Sequence, residues 1–532
     1  MIKTIWETIS NFIEKHYKII FTIILCLDIF LNIYKLGEVP QGIHVDEAGM
    51  TYDAYCIANY GVDRFLKQFP VYFINFGGGQ NALYTYLTAI LIKICGRFNL
   101  FIIRMPALIF SVAEVIVVYL LAREFFSKKK SLLFMLLVVI EPWHIMKSRW
   151  GLESFLLSPM LLFSTYALIK AIKTKKLFAY IISGILFGIT LYTYAISYLV
   201  IPIFLGLMLI YLIRKKMIKV KQIIALFIPI IIFAIPLVLM LMVQKGWINE
   251  IDSFITIPLL PKNRTSEIDI SYISNNIKYL QFAFINDELN YNSIKGFGSI
   301  YYVGIALMLL GIETSVFNKN KFNNKLINSK NNNENDKEDK IKNQEISLTT
   351  IMSFMFISNF ILAILTEVNT NKLNGIYISV TFFVLVGLEF IYKNAKYIFT
   401  ILMIVYMMLF SMFTNRYFTT FAKQDYDYFD NGDLEIMNYI KKYDGKEIYT
   451  DYINYIYSLI DYPISPYDFY KDIEIYKGIE VIGYKNYHSY IDYNNLKDDA
   501  IYVLKTQSKV EYFTSRGYKL EIVNNKYYIL QK

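Results

Sequence analysis

Apolar runs about twenty residues long recur through residues 17–414 of this 532-residue chain, and a run of that length is what a helix needs to cross a hydrocarbon layer about 30 Å thick. No motif constrains the fold as strongly as this repetition. Hydrophobic residues make up 55% of the chain and charged residues only 18%, more apolar surface than a soluble globular core can hide. The reading is a polytopic α-helical membrane protein. Its first run, Tyr17 to Lys35, carries Asp28 and has no small-residue cleavage site, so it reads as a retained span and not a signal peptide.

The net charge of +10 argues for topology and against nucleic acid, because the Lys and Arg residues cluster in short hydrophilic gaps between runs. These gaps hold Arg123 with Lys128, Lys129 and Lys130; Lys170, Lys173, Lys175 and Lys176; Arg214, Lys215, Lys216, Lys219 and Lys221; the Asn/Lys-rich stretch near 317–347; and Lys393 with Lys396. The positive-inside rule predicts that all of them, and the N-terminus, are cytoplasmic. Asn81 to Gly96, only about sixteen residues long, decides the count. Taken as an amphipathic segment on the outer surface, it leaves every basic gap inside. Spans are then predicted near 17–36, 102–124, 131–147, 154–172, 177–194, 196–213, 221–243, 299–316, 348–366, 374–392 and 396–414. About eleven spans put the loops 37–101 and 244–298 and the C-terminal tail on the outer face.

Two regions differ in character. Asn318 to Ser347 is polar low-complexity sequence, predicted to be a disordered cytoplasmic linker. The tail has no membrane-length run. Asp433 to Tyr443 has helical periodicity, while Glu447–Thr450, Ala500–Leu504 and Tyr527–Leu530 look like strands. The predicted organisation is a transmembrane domain over 1–415 and a soluble extracytoplasmic α/β or α+β domain over 416–532. The three cysteines, Cys26, Cys56 and Cys95, have no metal-ligand spacing and argue against a disulfide framework.

Unusual polar residues collect on the predicted outer face. Asp46-Glu47 directly follows the first run, where a carboxylate is costly to desolvate. If the following segment is helical, Asp46, Met50 and Asp53 share a face. Asp46 then reads either as a helix N-cap or as a catalytic base. The segment Glu141 to Glu153 holds His144, Lys147 and Arg149 between two spans. Arg149 suits a lipid-linked phosphate, or else snorkels at the interface with Trp143 and Trp150 as belt residues. Weaker candidates are His44, Gly77–Asn81, Tyr194 at a span end, Asn286-Asp287-Glu288, and Asn369–Asn374 with Asn371 and Lys372. Walker, His-Glu-x-x-His and nucleophile-elbow motifs are absent from the sequence.

The early Asp46-Glu47 loop, Gly77-Gly78, Ile103-Arg104-Met105-Pro106-Ala107, and Pro142-Trp143-His144 with Ser148-Arg149-Trp150-Gly151-Leu152-Glu153 occur in an order that resembles a known family. These are the C-type (GT-C) integral-membrane glycosyltransferases, specifically the bacterial relatives of protein O-mannosyltransferases and of the lipid A aminoarabinose transferase. The resemblance covers roughly residues 17–415 and is most specific in the first 200. It implies an inverting transferase of the cell membrane that moves a hexosyl or pentosyl group from a polyprenyl-phosphate donor to a protein, lipid or cell-envelope acceptor outside. It places Asp46, with Glu47 beside it, as the base and Arg149 near the donor phosphate. Lys147, His44, Glu153, Tyr194, Asn371 and Lys372 are the accompanying substrate-binding candidates, Lys372 standing where relatives often have Arg. No cofactor is required; some members bind a divalent metal, though no ligand cluster here calls for one. A lipid-linked oligosaccharide transferase or polymerase is the alternative, with a polyprenyl-glycan transporter ranked below both because few charges, Asp28 and Glu114 the main ones, fall within spans.

Overall fold

The computed structural model describes residues 8, 11–76, 78–261, 271, 273, 276, 284–285, 291–328, 346–366, 368–422, 429–443, 445–451, 453–476 and 480–532. Gly77, Asn286-Asp287-Glu288 and most of the low-complexity stretch lie outside them. The chain packs as two units.

The first unit comprises Met1–Leu36, Pro106–Ile235 and Thr265–Phe421. Its helices are α1 (Tyr17–Ile33), α4 (Leu100–Arg123, shared with the second unit), α5 (Lys128–Ile140), α6 (Pro142–Lys147), α7 (Leu157–Thr174), α8 (Leu177–Thr190), α9 (Ser197–Arg214), α10 (Val220–Gln244, also shared), α11 (Tyr302–Asn328), α12 (Leu348–Leu365), α13 (Tyr377–Asn394) and α14 (Lys396–Arg416). Among the described residues six helical segments are long and apolar enough to cross a membrane, and four further apolar helices are shorter. The expected count of about eleven is therefore not reproduced by helix length. One reason is local: the run 131–147 is not one span, because Glu141 is extended (ψ 138°) and divides α5 from α6. The residue before a proline is pushed out of the helical region, and Pro142 then opens the next helix. Outward-facing Ile224, Ile228, Ile231 and Ile235 on α10 are about half exposed, as lipid-facing side chains of a membrane-embedded helix would be. Elsewhere, close packing uses glycine. A Cβ on Gly311 of α11 would lie 1.9 Å from the Phe383 carbonyl oxygen of α13, and one on Gly387 would lie 2.2 Å from that of Leu307. Small residues let these two backbones approach.

The second unit comprises Gly37–Met105, Pro236–Arg264 and Ala422–Lys532. The first predicted outer loop thus packs with the tail, and a division at residue 415 separates segments that share one core. The loop contributes α2 (Val45–Tyr60), the hairpin β1 (Tyr72–Asn75) and β2 (Gly78–Asn81), and α3 (Ala82–Cys95). The tail supplies α15 (Asn431–Tyr439) and a seven-stranded mixed sheet of order β4-β5-β6-β3-β7-β9-β8. Its strands are β3 (Ile448–Thr450), β4 (Ile473–Tyr476), β5 (Glu480–Tyr484), β6 (Tyr487–His488), β7 (Ile501–Leu504), β8 (Lys519–Val523) and β9 (Tyr527–Gln531). The central β3 pairs in parallel with β6 and β7, and the other pairings are antiparallel.

Side-chain alternation gives the sheet two apolar faces. Ile448, Ile501, Val503 and Ile529 join one cluster, and Tyr449, Tyr502, Leu504 and Leu530 join the other. The first cluster also holds Ile43, Ala48, Tyr52 and Cys56 from around α2. Gly42 makes this approach feasible: its φ is +90°, and a Cβ there would meet the Phe429 carbonyl oxygen at 2.5 Å and Asn431 at 2.7 Å.

Candidate functional site

In the second unit the site is built at the start of α2. His44 is the N-cap, its Nδ1 accepting from the Asp46 backbone N–H at 3.2 Å. Asp46 is therefore not the cap. It sits in the first turn with its side chain 48% exposed, where the helix dipole favours a carboxylate. Glu47, one residue on, points the other way and is fully buried. The Arg104 Nε donates to its Oε1 at 2.9 Å and Nη2 to its Oε2 at 3.1 Å. The same guanidinium donates to the carbonyls of Pro40 and Gly42, each at 2.8 Å. A bidentate pair with further donors directed at the 40–42 backbone fixes the loop that precedes Asp46. Close to it, the Tyr457 hydroxyl donates to Asp430 Oδ2 at 2.7 Å. Burial pushes the Tyr457 phenol up, and the charges of Asp430, Asp433 and Asp46 add to that.

Asp53, seven residues on in the same helix, is buried against Arg64. Arg64 Nη2 donates to Asp53 Oδ2 at 2.7 Å and Nε to Oδ1 at 3.0 Å, while further donors reach Asn75 and the Tyr455 hydroxyl. Next to this pair, burial first and the Asp53 charge second push the Asp63 carboxyl up to about 8. Asp63 thus keeps its proton in the folded state up to about pH 8 and releases it near pH 4 when unfolded. Between those values the unfolded chain binds fewer protons, so stability falls as pH rises. Melting of the full chain between pH 5 and 9 is expected to show a downward slope, at most about 1.4 kcal/mol per pH unit. Asp63→Asn, which keeps the acceptor for the Phe65 and Lys67 amides, should flatten it; an unchanged slope would assign the effect elsewhere.

In the first unit, polar residues gather around α6. The Lys147 ammonium donates to Asn371 Oδ1 at 2.7 Å and to Asn292, and lies 4.8 Å from the Trp150 ring centroid. Two of the residues singled out from sequence, Lys147 and Asn371, are thereby brought together. Trp143 Nε1 donates to Asn374 Oδ1 and Asn374 Nδ2 to Ser154 Oγ, both at 3.0 Å. Glu153 opens the adjoining short 3-10 turn and is buried. Lys372 contributes its backbone N–H to Asn369 Oδ1 at 2.9 Å. Tyr194 is half-buried, and its carbonyl accepts from the Ser197 N–H at 2.9 Å.

Arg149 takes a different place from the phosphate contact expected of it. It is fully buried, its Nη1 donating to the carbonyls of Leu31 (2.6 Å) and Asn32 (2.9 Å) and its Nη2 to that of Tyr34 (2.6 Å). Those carbonyls are the unpaired end of α1, which a cation satisfies both by hydrogen bonding and through the helix dipole. The Phe418 ring, with its centroid 4.9 Å away, covers the guanidinium. Beneath it lies a buried network that local sequence could not show. His144 Nε2 is 2.9 Å from Asp28 Oδ1 and 3.0 Å from Ser111 Oγ, and its Nδ1 is 3.5 Å from Glu114 Oε2. Asn32 bonds Asp28, and Ser148 bonds Asn32. The sequence marked Asp28 and Glu114 as the main charges within spans; His144 stands between them.

Among the described residues no group of three or more His, Cys, Asp or Glu side chains is arranged to hold a metal ion. Arg104 and Asn292 went without a role in the sequence, and Asn374 was marked only as the end of the Asn369–Asn374 loop. Only Arg104 carried a signal, as a lone cation at the opening of an apolar helix.

Residues 81–240 match the family model of dolichyl-phosphate-mannose-protein mannosyltransferases. No curated protein sequence matches the chain. Among solved structures, that of ArnT from Cupriavidus metallidurans bound to undecaprenyl phosphate is similar with a TM-score of 0.58 at 7% identity, over 97% of each chain. ArnT from the same organism in the apo state gives 0.58 at 8% identity, over 97% of this chain and 98% of its own. The family-model match spans 160 of the chain's 532 residues. The chain shares the ArnT fold, with a sheet domain at the C-terminal end.

Proposed function

We propose that this chain is an inverting glycosyltransferase that takes a sugar from a polyprenyl-phosphate donor, with Asp46 as the base. The observation that carries this reading is the split fate of the acidic pair. Glu47 is spent on Arg104 in a buried ion pair, so the carboxylate that faces solvent is that of Asp46. A phosphate-linked sugar already has a good leaving group, so a single carboxylate suffices. Asp46 removes the proton from the acceptor hydroxyl or amine as the acceptor oxygen or nitrogen bonds to the anomeric carbon. The bond from that carbon to the phosphate oxygen breaks, the electron pair leaves with the phosphate, and the anomeric centre inverts. The match to mannosyltransferases and the fold of an ArnT that binds undecaprenyl phosphate support the donor class. Within the first unit, Lys147, held by two asparagine amides, is a proposed anion-binding cation. Arg149 acts behind it as the clamp on α1. The outer face is the proposed side of reaction, following the charge map.

The test is to supply the full chain, in vesicles, with a polyprenyl-phosphate monosaccharide and total envelope acceptors. The expected result is release of polyprenyl phosphate and a product of inverted anomeric configuration. A retained configuration, or turnover of oligosaccharide diphosphates alone, would contradict the proposal; the latter would favour the oligosaccharide-transferase alternative.

A further inference from the structure

We propose a binding site for an anionic diacyl phospholipid in the first unit, remote in function from the sugar chemistry. A cavity of about 440 Å³ opens among α1, α5, α13 and α14, a volume in the range of small-molecule sites. Its floor is apolar, with Ile24, Leu136 and Met403 among the lining side chains. Its polar lining is uneven in charge: Lys129, Lys130 and Lys393 against Glu389. Glu389 is shared by two of them, bonding Lys130 and lying 2.9 Å from Lys393. Lys129 reaches the half-exposed Glu14 at 3.1 Å. One carboxylate between two ammonium groups leaves a net positive site, and the remaining lysine has a water-exposed partner that a phosphate could replace.

This pattern, an acyl-sized apolar floor beneath a net positive edge, is complementary to a lipid whose headgroup carries a negative charge without a cation of its own. A choline headgroup would bring its own positive charge against these lysines. The lysines also belong to two of the basic gaps that the charge map places on the cytoplasmic side, where basic pockets between spans meet anionic headgroups. Phosphatidylglycerol is the simplest lipid of this description.

The test uses the full chain reconstituted in vesicles of equal phosphatidylglycerol and phosphatidylcholine. After mild detergent extraction, co-purified lipid is quantified by mass spectrometry. The expected result is enrichment of phosphatidylglycerol over phosphatidylcholine by about fivefold relative to the bulk, the order expected for one net positive charge. Lys129→Gln with Lys393→Gln, which preserves the Lys130–Glu389 pair, should return the ratio to the bulk value. Leu136→Trp, which fills the floor, should lower retention of both lipids. Should the double variant fail to fold, the wild-type protein at high salt should lose the preference by screening. A bulk lipid ratio in the wild type overturns the proposal. So does a preference unaffected by both the substitutions and salt, or polyprenyl phosphate as the retained lipid with phosphatidylglycerol at the bulk ratio.

Discussion

Arg104→Ala is expected to destabilise the second unit by about 3–5 kcal/mol, the usual cost of breaking a buried ion pair by removing one partner. The magnitude follows from what is left behind. Glu47 is fully buried, so its carboxylate would lose both guanidinium bonds in a site shielded from bulk solvent. The carbonyls of Pro40 and Gly42 would lose their donors as well, each an added desolvation cost. A domain is typically stable by only about 5–15 kcal/mol, so the loop before Asp46 would loosen well below normal melting temperatures. Limited proteolysis of the full chain near residues 40–45, together with its melting curve, reads this directly. Replacing both partners, Arg104→Met with Glu47→Leu, should recover much of the loss, because no charge is then stranded. A single variant that melts within about 1 kcal/mol of wild type would show that the pair does not hold the loop.

The helical membrane architecture was legible because it is written locally. Run length and the placement of Lys and Arg need no knowledge of distant residues. The break at Glu141 was missed although Pro142 announces it, because the apolar run continues across the proline. In the tail the strands Ile448–Thr450, Ile501–Leu504 and Tyr527–Gln531 were visible as β-branched and aromatic runs. The strands Ile473–Tyr476 and Lys519–Val523 were hidden by interleaved Glu and Lys.

The candidate site was legible in its residues and illegible in its pairings. Nothing in Asp46-Glu47 says which carboxylate is buried; that is decided by Arg104, 57 residues away. Arg149 looked like a phosphate ligand because its local surroundings are apolar. Its true partners are backbone carbonyls more than a hundred residues earlier, and a carbonyl leaves no trace in sequence. His144 was marked only as one polar residue of the segment between two spans, although both of its carboxylate neighbours had been noticed as charges within spans. Lys147 and Asn371 were each noticed alone; their contact needed the fold.

The role of Asp46 as the base is read from the transfer rate of Asp46→Asn at matched amounts of folded protein. Asn keeps the shape and is half in solvent at this position, so the melting temperature should hardly move. It cannot take a proton from the acceptor. A positioned general base contributes about 10²–10⁴-fold, so kcat should fall by that range with KM for the donor nearly unchanged. An Asp46→Asn protein that transfers sugar at the wild-type rate would contradict that role.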